Sequence, residues 1–426
     1  MSPAELGDRR PYPAWRPWLV WLPAALVFTY AFFHRVAPSV MIDPLMRDFG
    51  VGAAVLGNLS AFYFYAYAGL QIPVGMSIDR WGPRRVLTIA TGFCALGSLC
   101  FALSDTLGWL YLGRLMIGAG SAFGFVGALT LAGRWFAPRR FALVSGLTMM
   151  AGMSGGILGQ APLAVAVDTI GWRAPLLGAA AAGGFLALAI WIIVRDRPPS
   201  AAARDSGGRG PGIATALKEV LGRRQNWLIA LVGAATSAPL LAFAGLWGVA
   251  WLMQVQGMTR PEAAATTSAL LIGWAIGAPL AGYVSDRMAR RKPALIAATG
   301  GGLACLCALL YLPGLPGAAL PVLFFVTGLF LGAMVVCFAT AREGNRSAVT
   351  GVTLAFINMT VTGTGALFQP LIGALLDLNW DGALAEGVPL YSPAAYRAAF
   401  SVLVVFLIAG LGAAFLIRET RASIAS

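Results

Sequence analysis

Twelve long apolar runs, each closed off by a short polar or charged cluster, divide the chain from end to end. They fall at 18–42, 52–75, 86–104, 107–133, 141–167, 174–194, 226–253, 262–284, 293–312, 317–341, 348–376 and 396–417. A bilayer core of about 30 Å is crossed by roughly 20 apolar residues in a helix. The pattern predicts an all-α membrane protein with twelve transmembrane helices. The first run is too long for a cleaved signal and has no small-residue cleavage site, so it is expected to stay as a helix.

Composition agrees. Of 426 residues, 58% are hydrophobic and 11% are charged, whereas a soluble chain is about 25% charged. There is too little charge here to coat a globule. The five cysteines all fall inside runs, and Cys305 and Cys307, two apart, point to different helix faces. No metal or disulfide framework follows.

The net charge of +13 raises the question of a nucleic-acid partner. With the N-terminus inside, only Arg47, Arg173, Arg260 and Arg397 lie outside, and only Arg35 and Arg114 lie within the membrane. Every other Lys and Arg is in a tail or a cytoplasmic loop, the positive-inside bias. The charge orients the protein with both termini in the cytoplasm, and no polyanionic partner is needed.

Between the sixth and seventh runs lies "RDRPPSAAARDSGGRGPGIATALKEVLGRR" (195–224), rich in Pro, Gly, Ser and charge. It reads as a cytoplasmic linker between an N-terminal half (1–194) and a C-terminal half (225–426). "GMSIDRWGPRRVL" (75–87) follows the second run and "GYVSDRMARRKPAL" (282–295) follows the eighth. A finer repeat recurs once per three helices: "LQIPVG" (70–75), "GQAPLA" (159–164), "GAPLAG" (277–282) and "FQPLIG" (368–373). Runs two and five point in opposite directions, so the repeat is inverted, as in transporters that work by alternating access.

These features resemble the major facilitator superfamily of secondary transporters over essentially the whole chain, which implies two pseudo-symmetric six-helix halves. The family's loop signature is matched by Gly75, Asp79, Arg80, Gly82, Arg84 and Arg85, with Pro83 where a basic residue is common. The second copy keeps Gly282, Asp286, Arg287, Arg290 and Arg291, with Ala289 in place of glycine. The resemblance implies that this loop latches the halves at the cytoplasmic side in the outward-facing state. "RLMIGAGSAFGFVGALTLAGRWF" (114–136) is similar to the fourth-helix pattern, in which Gly118, Gly120 and Ser121 let helices approach closely. In "GMSGGILGQAP" (152–162) the proline departs from the spacing of proton antiporters, which weighs against a drug exporter. "HRVAPSVM" and "FYFYAYAGLQIPVG" look most like a proteobacterial branch of organic-solute carriers that includes amino-acid transporters.

Two charges stand inside runs. Arg35 lies about 10 Å from the outer end of the first run, and Arg114 is at a similar depth in the fourth. Family helices one and four both face the central cavity. At 100° per residue, Tyr30, His34, Arg35 and Pro38 fall within one arc, with Phe28 and Phe32 elsewhere. No carboxylate falls in mid-run; Asp43, Asp168, Asp377 and Glu343 sit at helix ends. A cationic chamber without its own counter-ion points to an anionic group on the substrate, because buried charge seeks a partner and Arg binds carboxylates bidentately. The alternatives are that Arg35 snorkels to the headgroups, that Arg114 serves the fold, and that His34 is a packed neutral ring. Further candidate cavity groups are Tyr63, Tyr67 and Gln71, spaced by four, with Trp247, Trp251, Asn358 and Gln369 in the C-terminal half.

The expectation is a monomeric, cofactor-free transporter of the bacterial inner membrane, carrying a small organic anion or amino acid. Proton symport is the expected coupling, with His34 as the titrating group because histidine titrates near neutrality. Export of a larger amphiphile or drug, anion exchange and uniport are the alternatives. A membrane enzyme would need a polar catalytic cluster or an extramembrane domain. A nucleotide-binding loop is missing, which speaks against direct ATP drive.

Overall fold

The computed structural model describes residues 13–198, 213–312 and 314–419. Residues 199–212 of the linker lie outside the described residues. Among the described residues, eleven helices are long and apolar enough to cross a membrane: Arg16–Val40, Pro83–Ala102, Leu107–Trp135, Leu143–Ile170, Arg173–Ile193, Arg224–Gln256, Arg260–Arg287, Lys292–Tyr311, Ala319–Glu343, Thr350–Leu378 and Pro393–Leu416. Another falls second in chain order. It is built from Ala53–Gly69 and Gln71–Trp81, and hydrogen bonding carries through the break at Leu70, from Leu70 N to Ala66 O and from Val74 N to Leu70 O. In hydrocarbon each backbone group must be satisfied within its own segment, which is why apolar runs of this length become helices. The protein is a multi-pass, all-α membrane protein, and the spans are numbered one to twelve in chain order.

The first run departs from its expected form. Helix Arg16–Val36 gives way to the 3-10 turn Ala37–Val40, and Ile42–Phe49 forms a separate short helix bent by 115° from Ala53–Gly69. Pro38 explains the change. It has no N–H to give to the carbonyl four residues back, and that carbonyl belongs to His34. The released oxygen accepts instead from Arg114 Nη1 of span four, at 2.8 Å.

Spans one to six pack on one another, and so do seven to twelve. The halves meet where span two lies on span eleven and span five on span eight. Small residues set the approach. A Cβ on Gly118 would stand 2.7 Å from Tyr63 Cα, so span four holds the backbone of span two at the height of Tyr63. Gly120 meets Cys94 of span three in the same way.

The ends bearing 75–87 and 282–295 form one face, called here the basic end, and the opposite face is the far end. Single cysteines at Ser206, outside the described residues, and at Ser392, the N-cap of span twelve, test the orientation. In a cysteine-free background they should label from opposite sides of the membrane. Labelling from one side would overturn the twelve-span topology.

Candidate functional site

Spans from both halves enclose a cavity of about 830 Å3. Its lining passes from the buried Phe32 and Arg35 to the exposed Met76 and Asp79, so it opens at the basic end. Arg35 is the one Lys or Arg among the lining residues. Its guanidinium lies 4.3 Å from the centre of the Phe32 ring and 4.8 Å from that of Tyr67, with Tyr63 at 5.6 Å. Nε donates to Tyr63 Oη at 3.4 Å, and Nη2 is buried with no hydrogen-bond partner. Aromatic faces attract a cation but do not neutralise it. The result is a fixed positive charge on the cavity wall.

The arc on span one differs from the expected one. Phe28, Phe32 and Arg35, spaced by four and three, line the cavity together. Tyr30 and His34 point elsewhere. Tyr30 Oη donates to Ala179 O of span six at 3.0 Å, and the His34 ring packs edge-on against Tyr30, centroids 4.6 Å apart. Neighbouring residues on a helix diverge by about 100°, so His34 and Arg35 cannot share a face closely. The structure therefore removes Tyr30 from the cavity wall. It also places His34 behind Arg35, with Nε2 buried and unpartnered.

Arg114 is absent from the cavity wall as well. Besides His34 O, it reaches Ser60 O of span two at 3.3 Å and lies over the Tyr63 ring at 5.1 Å. It ties spans one, two and four together. Tyr67 and Gln71 line the cavity with Asn358, whose Nδ2 donates to Gln71 Oε1 at 2.7 Å across the two halves. Trp247 and Trp251 do not line it. Trp247 Nε1 donates to Gln369 O at 3.0 Å, and Trp251 sits among Phe243, Phe324 and Phe400. Both belong to the core of the C-terminal half, because span seven is buried on nearly every side. The sequence reading missed Phe28, Phe32, Phe125, Phe338 and Trp274, all on the wall. Only the 28/32/35 spacing offered a signal.

The far end is closed by contacts between the halves. Asp377, ending span eleven, accepts from Ala53 N at 3.0 Å and Ala54 N at 2.8 Å at the start of span two. A helix N-terminus favours such a carboxylate. Tyr391 Oη also donates to Asp377, and burial, followed by that carboxylate, pushes the phenol pKa up. Asp168, ending span five, pairs with Arg260 at the start of span eight, and Asp43 approaches the same guanidinium at 3.4 Å. Gln160 Nε2 crosses to Ala244 O at 3.1 Å, in the π-helical stretch Pro239–Trp247 of span seven.

The model of the major facilitator superfamily matches residues 24–368. The chain belongs to that superfamily. Among relatives, the uncharacterized transporter YybO of Bacillus subtilis is 31% identical, over 34% of each chain. The chain thus spans about a third of the length of that relative. The probable sulfoacetate transporter SauU of Cupriavidus necator is 24% identical over 65% of this chain and 67% of its own. The gallate transporter of Pseudomonas putida is 26% identical over 70% and 71%. Among solved structures, a bacterial homologue of the human lysosomal transporter Spinster, inward-facing and unoccupied, superposes with a TM-score of 0.79. It is 19% identical and covers 95% of this chain and 98% of its own.

In this facilitator the two signature loops are used differently. Asp79 faces the cavity mouth, exposed. The N-terminus of span three is capped by Asp196, which accepts from Arg84 N at 2.8 Å beside Gly82 (φ +80°). Arg84 lies over Trp191 and donates to its carbonyl, and Arg80 lies 6.0 Å from the Trp81 ring. In the second copy, Asp286 pairs with Arg291, which also binds Glu343 at 2.7 Å, and Arg287 donates to Tyr283 Oη at 3.1 Å. The Glu343 carboxylate, with Asp286, raises the Arg291 pKa further.

Proposed function

We propose that the protein carries a carboxylate-bearing organic solute across a bacterial cytoplasmic membrane by alternating access, with the basic end and both termini in the cytoplasm. The observation that carries this reading is Arg35, a buried guanidinium on the cavity wall with no carboxylate partner among the described residues. A buried cation without a counter-ion is costly in hydrocarbon, and a carboxylate ligand removes that cost. Two of the relatives, the probable sulfoacetate transporter and the gallate transporter, carry organic anions by name, which supports the same reading.

In this scheme the structure is the cytoplasm-open state, and the Asp79 loop is the latch that engages when that end closes. Proton symport is the coupling, with His34 as the titrating group next to Arg35. Its carbonyl is already tied to Arg114, so a change in the ring's charge acts directly on the organising contact.

Uptake into proteoliposomes tests the reading. A carboxylate ligand should accumulate when an inward proton gradient is imposed, whereas its neutral amide should not. His34→Gln should abolish the gradient dependence and leave substrate counterflow. Accumulation that ignores the gradient in the wild type would reduce the carrier to uniport or exchange. Equal transport of acid and amide would overturn the anion assignment.

A further inference from the structure

At the far end Arg260 carries two carboxylates, and both come from the opposite half. Asp168 of span five pairs with Nη1, and Asp43 of the short helix Ile42–Phe49 approaches Nη2 at 3.4 Å. The two are not equally placed. The Asp168 side chain is 39% exposed and that of Asp43 18% exposed, and Asp43 Oδ1 is buried with no hydrogen-bond partner.

Neighbouring charges do not correct the imbalance. On the short helix itself, Arg47 pairs with Glu386 at 3.0 Å and Asp48 pairs with Arg173 of span six at 2.8 Å. Glu262 of span eight is taken up by its own helix cap, accepting from Thr259 N at 2.9 Å and Thr259 Oγ1 at 2.7 Å. Asp377 is held by the N-terminus of span two, and Tyr396 of span twelve donates to Gln254 Oε1 at 3.3 Å. Each of these has a partner of its own, so Asp43, Asp168 and Arg260 together keep one negative charge in excess. Burial, the largest influence, pushes the Asp43 carboxyl pKa up; Asp168 adds to this, while Arg260 and Arg47 oppose it. With a proton on Asp43 the cluster is neutral. Part of the cover over Asp43 belongs to the other half, since Arg260 meets it and its helix packs on the strand Val388–Pro389. Parting the halves gives that carboxylate back to water.

We propose that Asp43 is a proton-binding site of the far end, taking up one proton from the outer solution when the two halves close there. A carboxyl that holds its proton more firmly in the closed state favours that state as pH falls. Above its raised pKa, Asp43 is ionised in both states, and the closed state bears a poorly paired buried charge. Below the ordinary carboxylate value it is protonated in both, and acid has no further effect. Within that window the open-to-closed ratio falls by up to about tenfold for each unit of acidification. Asp43 does not line the cavity, so this proton enters and leaves on one side and is not cargo. The site is therefore a gate set by outer pH, separate from the coupling role given to His34. It rests on the orientation proposed above and not on the anion reading.

Spin labels at Thr106→Cys and Ala318→Cys, both exposed at the far end in opposite halves, test the site in a cysteine-free background. The solubilised, ligand-free protein is titrated from about pH 8 to about pH 4, across the window of a raised carboxyl, and the label distance gives the closed fraction. That fraction should rise with acid in a single one-proton step. Asp43→Asn copies the neutral carboxyl, so it should stay closed at every pH and show no step. Asp168→Asn leaves Arg260 to Asp43 alone, so the step should move to lower pH. His34→Gln should leave the step where it is. A flat titration of the parent, opening on acidification, or a step unchanged in Asp43→Asn would overturn the proposal, as would loss of the step in His34→Gln. One solution bathes both ends and no ligand is present, so failure here leaves the orientation and the anion reading standing.

Discussion

Arg35→Ala should weaken carboxylate binding roughly ten- to a hundredfold, since a hydrogen bond to a charged group contributes about 1.5–3 kcal/mol. Binding of a neutral amide should change little. The protein should remain folded, because the substitution removes a buried charge that has no carboxylate partner, and losing such a charge costs no ion pair. Arg35→Lys separates charge from shape. The ammonium keeps the positive charge but lacks the planar fork that stacks on Phe32 and Tyr67, so affinity should fall to an intermediate value. Arg114→Ala is the contrast. Its guanidinium holds the carbonyls of His34 and Ser60, so the variant should lose thermal stability before any effect on ligand can be measured. Titration of the three variants, with melting curves beside them, reads all of this. Wild-type affinity in Arg35→Ala would mean that the arginine serves only packing.

Gly57→Leu should abolish transport and drive the far end open. A Cβ at Gly57 of span two would stand 2.9 Å from Pro370 Cα of span eleven and collide with the Gln369 carbonyl. Backbone on a packed helix cannot yield as a side chain does, so the halves must part there. A few kcal/mol of overlap is enough to move a two-state equilibrium almost completely, since reversal from 1:99 to 99:1 takes about 5.5 kcal/mol. Spin labels at Thr169→Cys and Asp381→Cys, both exposed at the far end in opposite halves, should report a longer distance in Gly57→Leu than in the parent. An unchanged distance with transport intact would show that spans two and eleven do not separate there. Stability should fall less than transport, because span packing within each half is untouched.

Much of this was legible in the sequence, and the remainder fails for identifiable reasons. Spans were legible because hydrocarbon demands length and apolarity, which a residue count reveals. Arg35 was legible because a charge in such a run is conspicuous, and Tyr67 and Gln71 because their spacing by four shares its face. Trp247 and Trp251 misled because an aromatic residue is equally at home against lipid, core or ligand. Trp274 was overlooked for the same reason, and only its unpartnered N–H distinguishes it. The role of Pro38 was hidden because its effect falls four residues upstream, on a carbonyl. Asp196 was passed over as a linker residue, yet it caps span three.

That cap has a counterpart. Glu419, just past span twelve, accepts from Arg291 N at 2.6 Å and Lys292 N at 3.1 Å at the head of span nine. Each set of six spans is therefore closed by a carboxylate supplied just beyond its own last helix. During synthesis the ribosome delivers Asp196 before any of the second set has been made, and the first set then holds all the groups that its own closure requires.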